Sequence, residues 1–260
     1  MGRFPTTSRP TLFVRATGES LFHLATLDDW KFPCLRLIPT GADTTVEPWV
    51  ELVRRDERWI TMRAADGAVH LFGRETLLNI DGTRGPASLR DALMRAAHYF
   101  TYLTCRPSRG LHAQVTFNIH CATTSPASSF DDHDTPWVVG VAKGTSMYRI
   151  QPGAAYVLDV TNHYQFDVYA FVVLFDQHMS TTIVFDSMIL RAHSVTRLYD
   201  RTHRTSTIIF DRRRGRFQYV RIVISSKPMV ATGFIYDRWL ADGRAPQPEW
   251  DALTFGVDLA

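Results

Sequence analysis

The chain has 260 residues, a formal net charge of +3, and 45% hydrophobic, 21% charged and 12% aromatic residues. Those values belong to a folded globular protein long enough to bury a sizeable core, and they exclude low-complexity disorder. Its longest apolar runs, such as residues 168–175, fall far short of the roughly 20 residues a membrane-crossing helix needs, and the start Met1-Gly2-Arg3-Phe4-Pro5 carries no apolar signal segment.

Only three of the 29 basic residues are lysine (Lys31, Lys143, Lys227), so 26 are arginine. A GC-rich genome raises arginine without functional cause; a functional cause would be planar, two-pronged contacts to carboxylate or phosphate. The three cysteines, Cys34, Cys105 and Cys121, are unevenly spaced and form no C-x-x-C pair. They read as free thiols in a reducing compartment, which places the protein in the cytoplasm.

Residues 11–16 and 34–39 are short apolar runs bounded by Gly and Pro, and read as strands. Residues 46–54 alternate in polarity as a half-buried strand does. Residues 58–63 and 68–72 flank Asp66-Gly67, a hairpin signal. Residues 88–105 are the one strong helix: Leu89, Leu93, Ala96, Ala97, Phe100 and Leu103 recur at three- and four-residue spacing. Ser88 reads as its N-cap with Asp91 three residues on, and Pro86 and Pro107 bracket it.

Beyond the helix the pattern is β. Strands are expected at residues 114–121, 137–141, 155–160, 169–176 and 182–186. The stretch 169–175 is apolar on both faces, as in a central strand covered on both sides. Residues 126–135 form a polar loop and 191–204 an arginine-rich connection. Residues 207–211 and 217–225 read as a hairpin around Arg212-Arg213-Arg214-Gly215. The tail, 239–260, reads as mixed, with Pro246 and Pro248 marking irregular chain. The expected fold is mainly β, a β-sandwich with one amphipathic helix, in a single domain 1–260 with sub-units 1–87 and 88–260.

Phosphate loops, dinucleotide fingerprints, zinc-protease helices and nucleophile elbows are absent from the sequence. The candidates for chemistry are Cys121, His120, Asp132 and His133. His120 and Cys121 are adjacent, but neighbours on a strand point to opposite faces, so the imidazole and thiol are not expected to meet. Asp131-Asp132-His133-Asp134 gathers donors that suit a divalent cation, yet lies in a solvated loop; no metal and no cofactor are expected. The clearest charged feature is the set Arg191, Arg197, Arg201, Arg204, Arg212, Arg213, Arg214 and Arg216. Such a basic stretch fits an acidic protein face. Sparse interleaved aromatics and the small overall charge argue against nucleic acid.

Three stretches carry a family resemblance. Ala97-His98-Tyr99-Phe100-Thr101-Tyr102-Leu103, with the strand at 115–120, resembles the "AHFNYHL" helix and following strand after the protease domain of caspase-like, metacaspase-type proteins of mushroom-forming fungi. Residues 156–162, ending in Asn162, and residues 167–176 resemble that region's strand and its "DLYPYLFYFD". Residues 217–227 are similar to its "FLKLFVSTK", and residues 25–30 match its opening. A looser likeness extends to a β-rich domain beside bacterial caspase-type peptidases. The chain departs from the pattern at Phe171 and Val172, and has residues 182–187 where Trp-Tyr-x-Pro often follows. Neither Ser-Gly-His-Gly nor Asp-x-Cys-His-Ser-Gly occurs, so no protease residue carries over. The resemblance implies an accessory domain without its protease domain, a regulatory module whose partner is a caspase-type protease or its substrate. The alternatives are a hydrolase-type enzyme with a loop-built site around Cys121 and His133, or a carbohydrate-binding sandwich that stacks sugars on Trp137 and Tyr148.

Overall fold

A computed structural model describes residues 12–18, 35–39, 48–66, 76–104, 111–122, 137–138, 146–198, 207–229 and 250–259. The chain divides into two compact units, residues 1–105 with 177–180 and residues 106–176 with 181–260. The division falls after the helix, not before it as the expected sub-units had it, because the helix packs on the N-terminal sheet.

In the first unit, β1 (Leu12–Thr17), β2 (Leu35–Pro39), β3 (Val50–Arg54), β4 (Trp59–Ala64) and β5 (Thr76–Asp81) form one sheet in the order β2-β1-β3-β4-β5. β1 runs parallel to both its neighbours, while β3, β4 and β5 alternate in direction. Every second residue of β1, β3 and β4 is buried, which gives the sheet one apolar face. Helix α1 (Pro86–Thr104) packs against β1 and β5 and buries Leu89, Leu93, Ala96, Ala97 and Phe100. Phe100 meets Trp49 edge-on, 5.6 Å between ring centroids. Two expectations change here. The helix starts at Pro86, where a missing N–H costs nothing. Ser88 is therefore inside the helix, and its hydroxyl donates to the carbonyls of Asp81 (2.9 Å) and Gly85 (3.1 Å) instead of capping N–H groups. The strand expected at 68–72 lies outside the described residues; β4 pairs with β5, Ile60 opposite Ile80.

The second unit is a sandwich. One sheet holds β11 (Thr181–Leu190), β10 (Val168–Phe175), β14 (Phe217–Ser225), β15 (Trp250–Leu259), β8 (Ser146–Ile150) and β7 (Trp137–Val138), in that order. The other is built on β9 (Ala155–Asn162). β6 (Val115–Cys121) pairs along one of its edges, and β12 (Ser194–Arg197) and β13 (Thr207–Ile209) lie in tandem along the other. Ile119, Leu158 and Val160 from this sheet share one core with Val172, Ile222 and Phe255 from the larger sheet. β10 is buried on both faces as expected, with Val172 turned to that core and Phe171, Val173 and Phe175 on the reverse, all buried.

Three expectations are corrected in this unit. Residues 207–211 and 217–225 are not a hairpin: β13 pairs with β9, whereas β14 lies between β10 and β15 in the other sheet. β14 is buried on both faces along nearly its whole length, Gln218, Arg221 and Ser225 included, so its backbone needs a strand on each side, which a three-residue strand cannot supply. The arginine-rich connection contains β12, and the tail, read as mixed with no strand placed in it, contains β15, ten residues whose Leu253, Phe255, Val257 and Leu259 face the core.

The chain therefore changes sheets repeatedly: from β6 to β7, β8 to β9, β9 to β10, β11 to β12, and β13 to β14. Two of these crossings sit at one end and are stitched together there. Asn162, fully buried, donates to the carbonyls of Phe166 (2.9 Å) and Leu190 (3.0 Å), and its own carbonyl oxygen accepts from the Tyr164 N–H (2.9 Å). Beside it, Asp167 accepts from the Ala192 N–H (2.9 Å) and from Arg191 (2.7 Å). His193 completes this corner with a φ of 49° and gives its N–H to the Tyr164 carbonyl.

Two outcomes follow. Asn162→Ala should lower the unfolding free energy by about 2–4 kcal/mol, since three hydrogen bonds are lost and buried carbonyls are left without a donor; urea titration measures it. Asp167 is held below its ordinary range first by the Ala192 N–H and then by Arg191. The unfolded chain therefore takes up this proton first as pH falls. Its stabilisation is complete above the unfolded value of about 3.9 and is lost as pH drops through the lower folded value. The stability gap between the wild type and Asp167→Asn should be flat above about pH 5 and close below it; a gap that persists at low pH would contradict this assignment.

Candidate functional site

The register of β6 on β9 decides the fate of the cysteine–histidine pair. Val115, Phe117, Ile119 and Cys121 face the sandwich core, with Cys121 packed against it. His120 points the other way, and its Nδ1 lies 3.8 Å from Asp159 on the neighbouring strand. Thiol and imidazole are thus on opposite faces of one sheet, and the imidazole cannot take the thiol proton. Asp132 and His133 lie outside the described residues, as do Cys34 and Cys105. No group of three His, Cys, Asp or Glu side chains that could hold a metal occurs among the described residues. Tyr148 is no open sugar platform: it sits edge-on to Phe255 (5.4 Å) and Phe117 (6.2 Å), and burial pushes its phenol above the usual range. The Trp137 side chain is outside the described set.

The arginines contiguous in sequence are distributed in space. Arg191 follows β11 at the Asn162 end, paired with Asp167. Arg197 is the last residue of β12 and grips Asp159 with two bonds (3.0 and 3.4 Å), which holds the guanidinium charged. Arg216 is at the far end, bound twice to Asp258 (2.6 and 3.0 Å) and stacked over Phe217 at 5.1 Å. The pairing of β10 with β11 and β14 separates Arg191 from Arg216 by more than a strand length, about 30 Å at 3.3 Å per residue. Arg201 and Arg204 lie outside the described residues.

The structure brings Arg212, Arg213 and Arg214 together on a single 3-10 turn that carries the chain from β13 to β14. Its conformation is set by polar contacts on all sides. The Asp211 carboxylate accepts from the Arg213 N–H (2.9 Å), and the Asp211 carbonyl from the Arg214 N–H (2.9 Å). Gly215, at φ 94°, donates to the Arg212 carbonyl, a backbone state a side chain would strain. The fully buried Gln218 donates to the carbonyls of both Asp211 (2.8 Å) and Gly215 (3.0 Å), clamping the turn at its two feet. Arg212 reaches the Leu259 carbonyl (3.4 Å) and Arg214 the Thr182 hydroxyl (3.2 Å), both neutral acceptors. Arg212 and Arg213 are exposed.

Two contributors to this end of the sandwich escape sequence reasoning. Arg149 arrives by the parallel pairing of β8 with β15, which sets it beside Asp258; nothing local in the sequence marks that proximity. Gln218 shows itself only as a polar residue in an apolar strand, three positions after a turn glycine. Among the described residues, five arginines (149, 212, 213, 214 and 216) stand at this end with three aspartates, 176, 211 and 258, a surplus of two positive charges.

Gln218→Ala should unclamp the turn and speed tryptic cleavage after residues 212–214 by roughly tenfold, the equivalent of one net hydrogen bond of about 1.4 kcal/mol. Cleavage elsewhere should stay at the wild-type rate; an unchanged rate at the turn would remove the clamp. The chain matches no protein-family model, no curated protein and no solved structure.

Proposed function

We propose that this chain is a non-enzymatic, cytosolic protein-binding module that receives an acidic segment of a partner protein on the Arg212–Arg214 turn. One observation carries the reading: three consecutive arginines on a hydrogen-bonded turn, none of them in a carboxylate pair among the described residues, at an end of the sandwich with surplus positive charge. Arginine forks displayed on a rigid frame lose little freedom when they bind carboxylates, so the turn favours side chains of Asp and Glu. The opposite orientations of His120 and Cys121 count against a thiol enzyme. The likeness to the accessory region of fungal caspase-like proteins supports a caspase-type protease or its substrate as the partner, and a regulatory role.

A fluorescently labelled peptide with a run of glutamates provides the test, read by anisotropy. It should bind the wild type in a salt-sensitive manner, and the triple variant Arg212→Glu, Arg213→Glu, Arg214→Glu should bind it at least tenfold more weakly. Arg191→Glu, at the other end of the sandwich, should leave binding unchanged. Equal affinity in the wild type and the triple variant would sink the assignment.

A further inference from the structure

Arg58, Arg84 and Arg95 come from three separate segments of the first unit, yet they line one open cleft of about 410 Å³ together with Trp59, Leu78 and Asp81. That volume suits a small molecule. The segments are locked to one another before any ligand arrives. The Gly82 N–H donates to the Arg58 carbonyl at 2.6 Å, and a Cβ on Gly82 would stand only 3.2 Å from that oxygen. The Ser88 hydroxyl ties the first turn of α1 to the Asp81 and Gly85 carbonyls. Ser88, Asp91, Ala92 and Arg95 then fall on one face of the helix by their spacing, and all four line the cleft. Arg58 lies over the Trp59 ring at 4.9 Å, so an aromatic floor and a cation share one wall.

The charges in this cleft do not cancel. One oxygen of Asp81 is taken by the Thr83 N–H (3.1 Å) and hydroxyl (2.6 Å). The other lies 3.6 Å from Arg58 and 3.8 Å from Arg84, too far for a hydrogen bond to either. Asp91 is the second carboxylate. Among the described residues, three guanidinium groups against two carboxylates leave one positive charge in excess, and the positive end of a 19-residue helix adds to it. One singly charged anion balances the cleft. A doubly charged phosphate ester overshoots and meets Asp81 and Asp91 with its second charge.

We infer that this cleft binds a small monocarboxylate with a compact apolar body. The carboxylate is taken by the arginine forks, which match its two oxygens, and the body rests on Trp59 and Leu78. The site is separate from the Arg212–Arg214 turn and does not depend on that reading.

Benzoate is the probe, with benzamide as its neutral analogue and phenyl phosphate as its doubly charged one. Titration is followed on the six tryptophan indole N–H signals by NMR, the Trp59 signal being identified as the one lost in Trp59→Phe. Benzoate should shift the Trp59 signal saturably, benzamide should not, and phenyl phosphate should bind more weakly than benzoate. Arg95→Gln and Arg84→Gln, both exposed positions whose variants should keep the other indole signals in place, should each weaken benzoate at least tenfold. No shift of the Trp59 signal at tens of millimolar benzoate would overturn the proposal. So would full affinity in both variants, or an equal response to benzamide. Tighter binding of phenyl phosphate would overturn the charge argument and with it the ligand class.

Discussion

A chain that crosses between two sheets must turn corners in which backbone groups leave one ladder before joining the next. Those groups are costly if left dry. In the second unit Asn162 resolves this with one side chain, whose amide offers two donors and an acceptor at the point where β9 leaves for β10 and β11 leaves for β12. Only an amide supplies both roles at that size; an aspartate would face two carbonyls with nothing to donate. The core between the sheets depends on this corner, because the two crossings fix which strands enter which sheet. Asp167 and Arg191 add a charged clasp on the solvent side, where an ion pair alone contributes little but a backbone N–H bound to the same carboxylate adds direction.

The arginine excess divides along the same topology. Pairing with Asp167, Asp159 and Asp258 turns Arg191, Arg197 and Arg216 into surface clasps between strands distant in sequence. Among the described residues Arg212, Arg213 and Arg214 have no such counter-ions; their side-chain acceptors are the Leu259 carbonyl and the Thr182 hydroxyl. Clustering along the chain and clustering in space are therefore different properties here, and a β-strand of eight residues is enough to separate them.

Much of the architecture was legible because periodicity is local. The alternation of Val115, Phe117 and Ile119, the doubly apolar run of β10 and the stripe of α1 each report their own burial. The same alternation is present in Leu253, Phe255, Val257 and Leu259, but Pro246 and Pro248 just before it make the tail read as mixed and hide the strand. What sequence could not supply was pairing. Arg212–Gly215 has the look of a hairpin turn, and only the demand of β14 for a neighbour on each side shows that its flanking strands part company. The opposition of His120 and Cys121 was readable from strand geometry, whereas the aspartates that neutralise three of the arginines lie 24 to 42 residues away in sequence. Arg149 likewise reaches the turn's end of the sandwich only through a parallel pairing.

The turn that carries Arg212, Arg213 and Arg214 is also the joint where the chain passes from the smaller sheet to the larger. Anything that grips it grips both layers at once, with the Arg212 contact to the last core strand as a third point of hold. If the turn receives a partner as proposed, occupancy of the turn and cohesion of the layers are linked quantities: binding raises the melting temperature, and a loosened core lowers affinity by the same free energy. On that reading the chain would report its own integrity through its binding, since a molecule whose layers have begun to separate presents no intact turn to be bound.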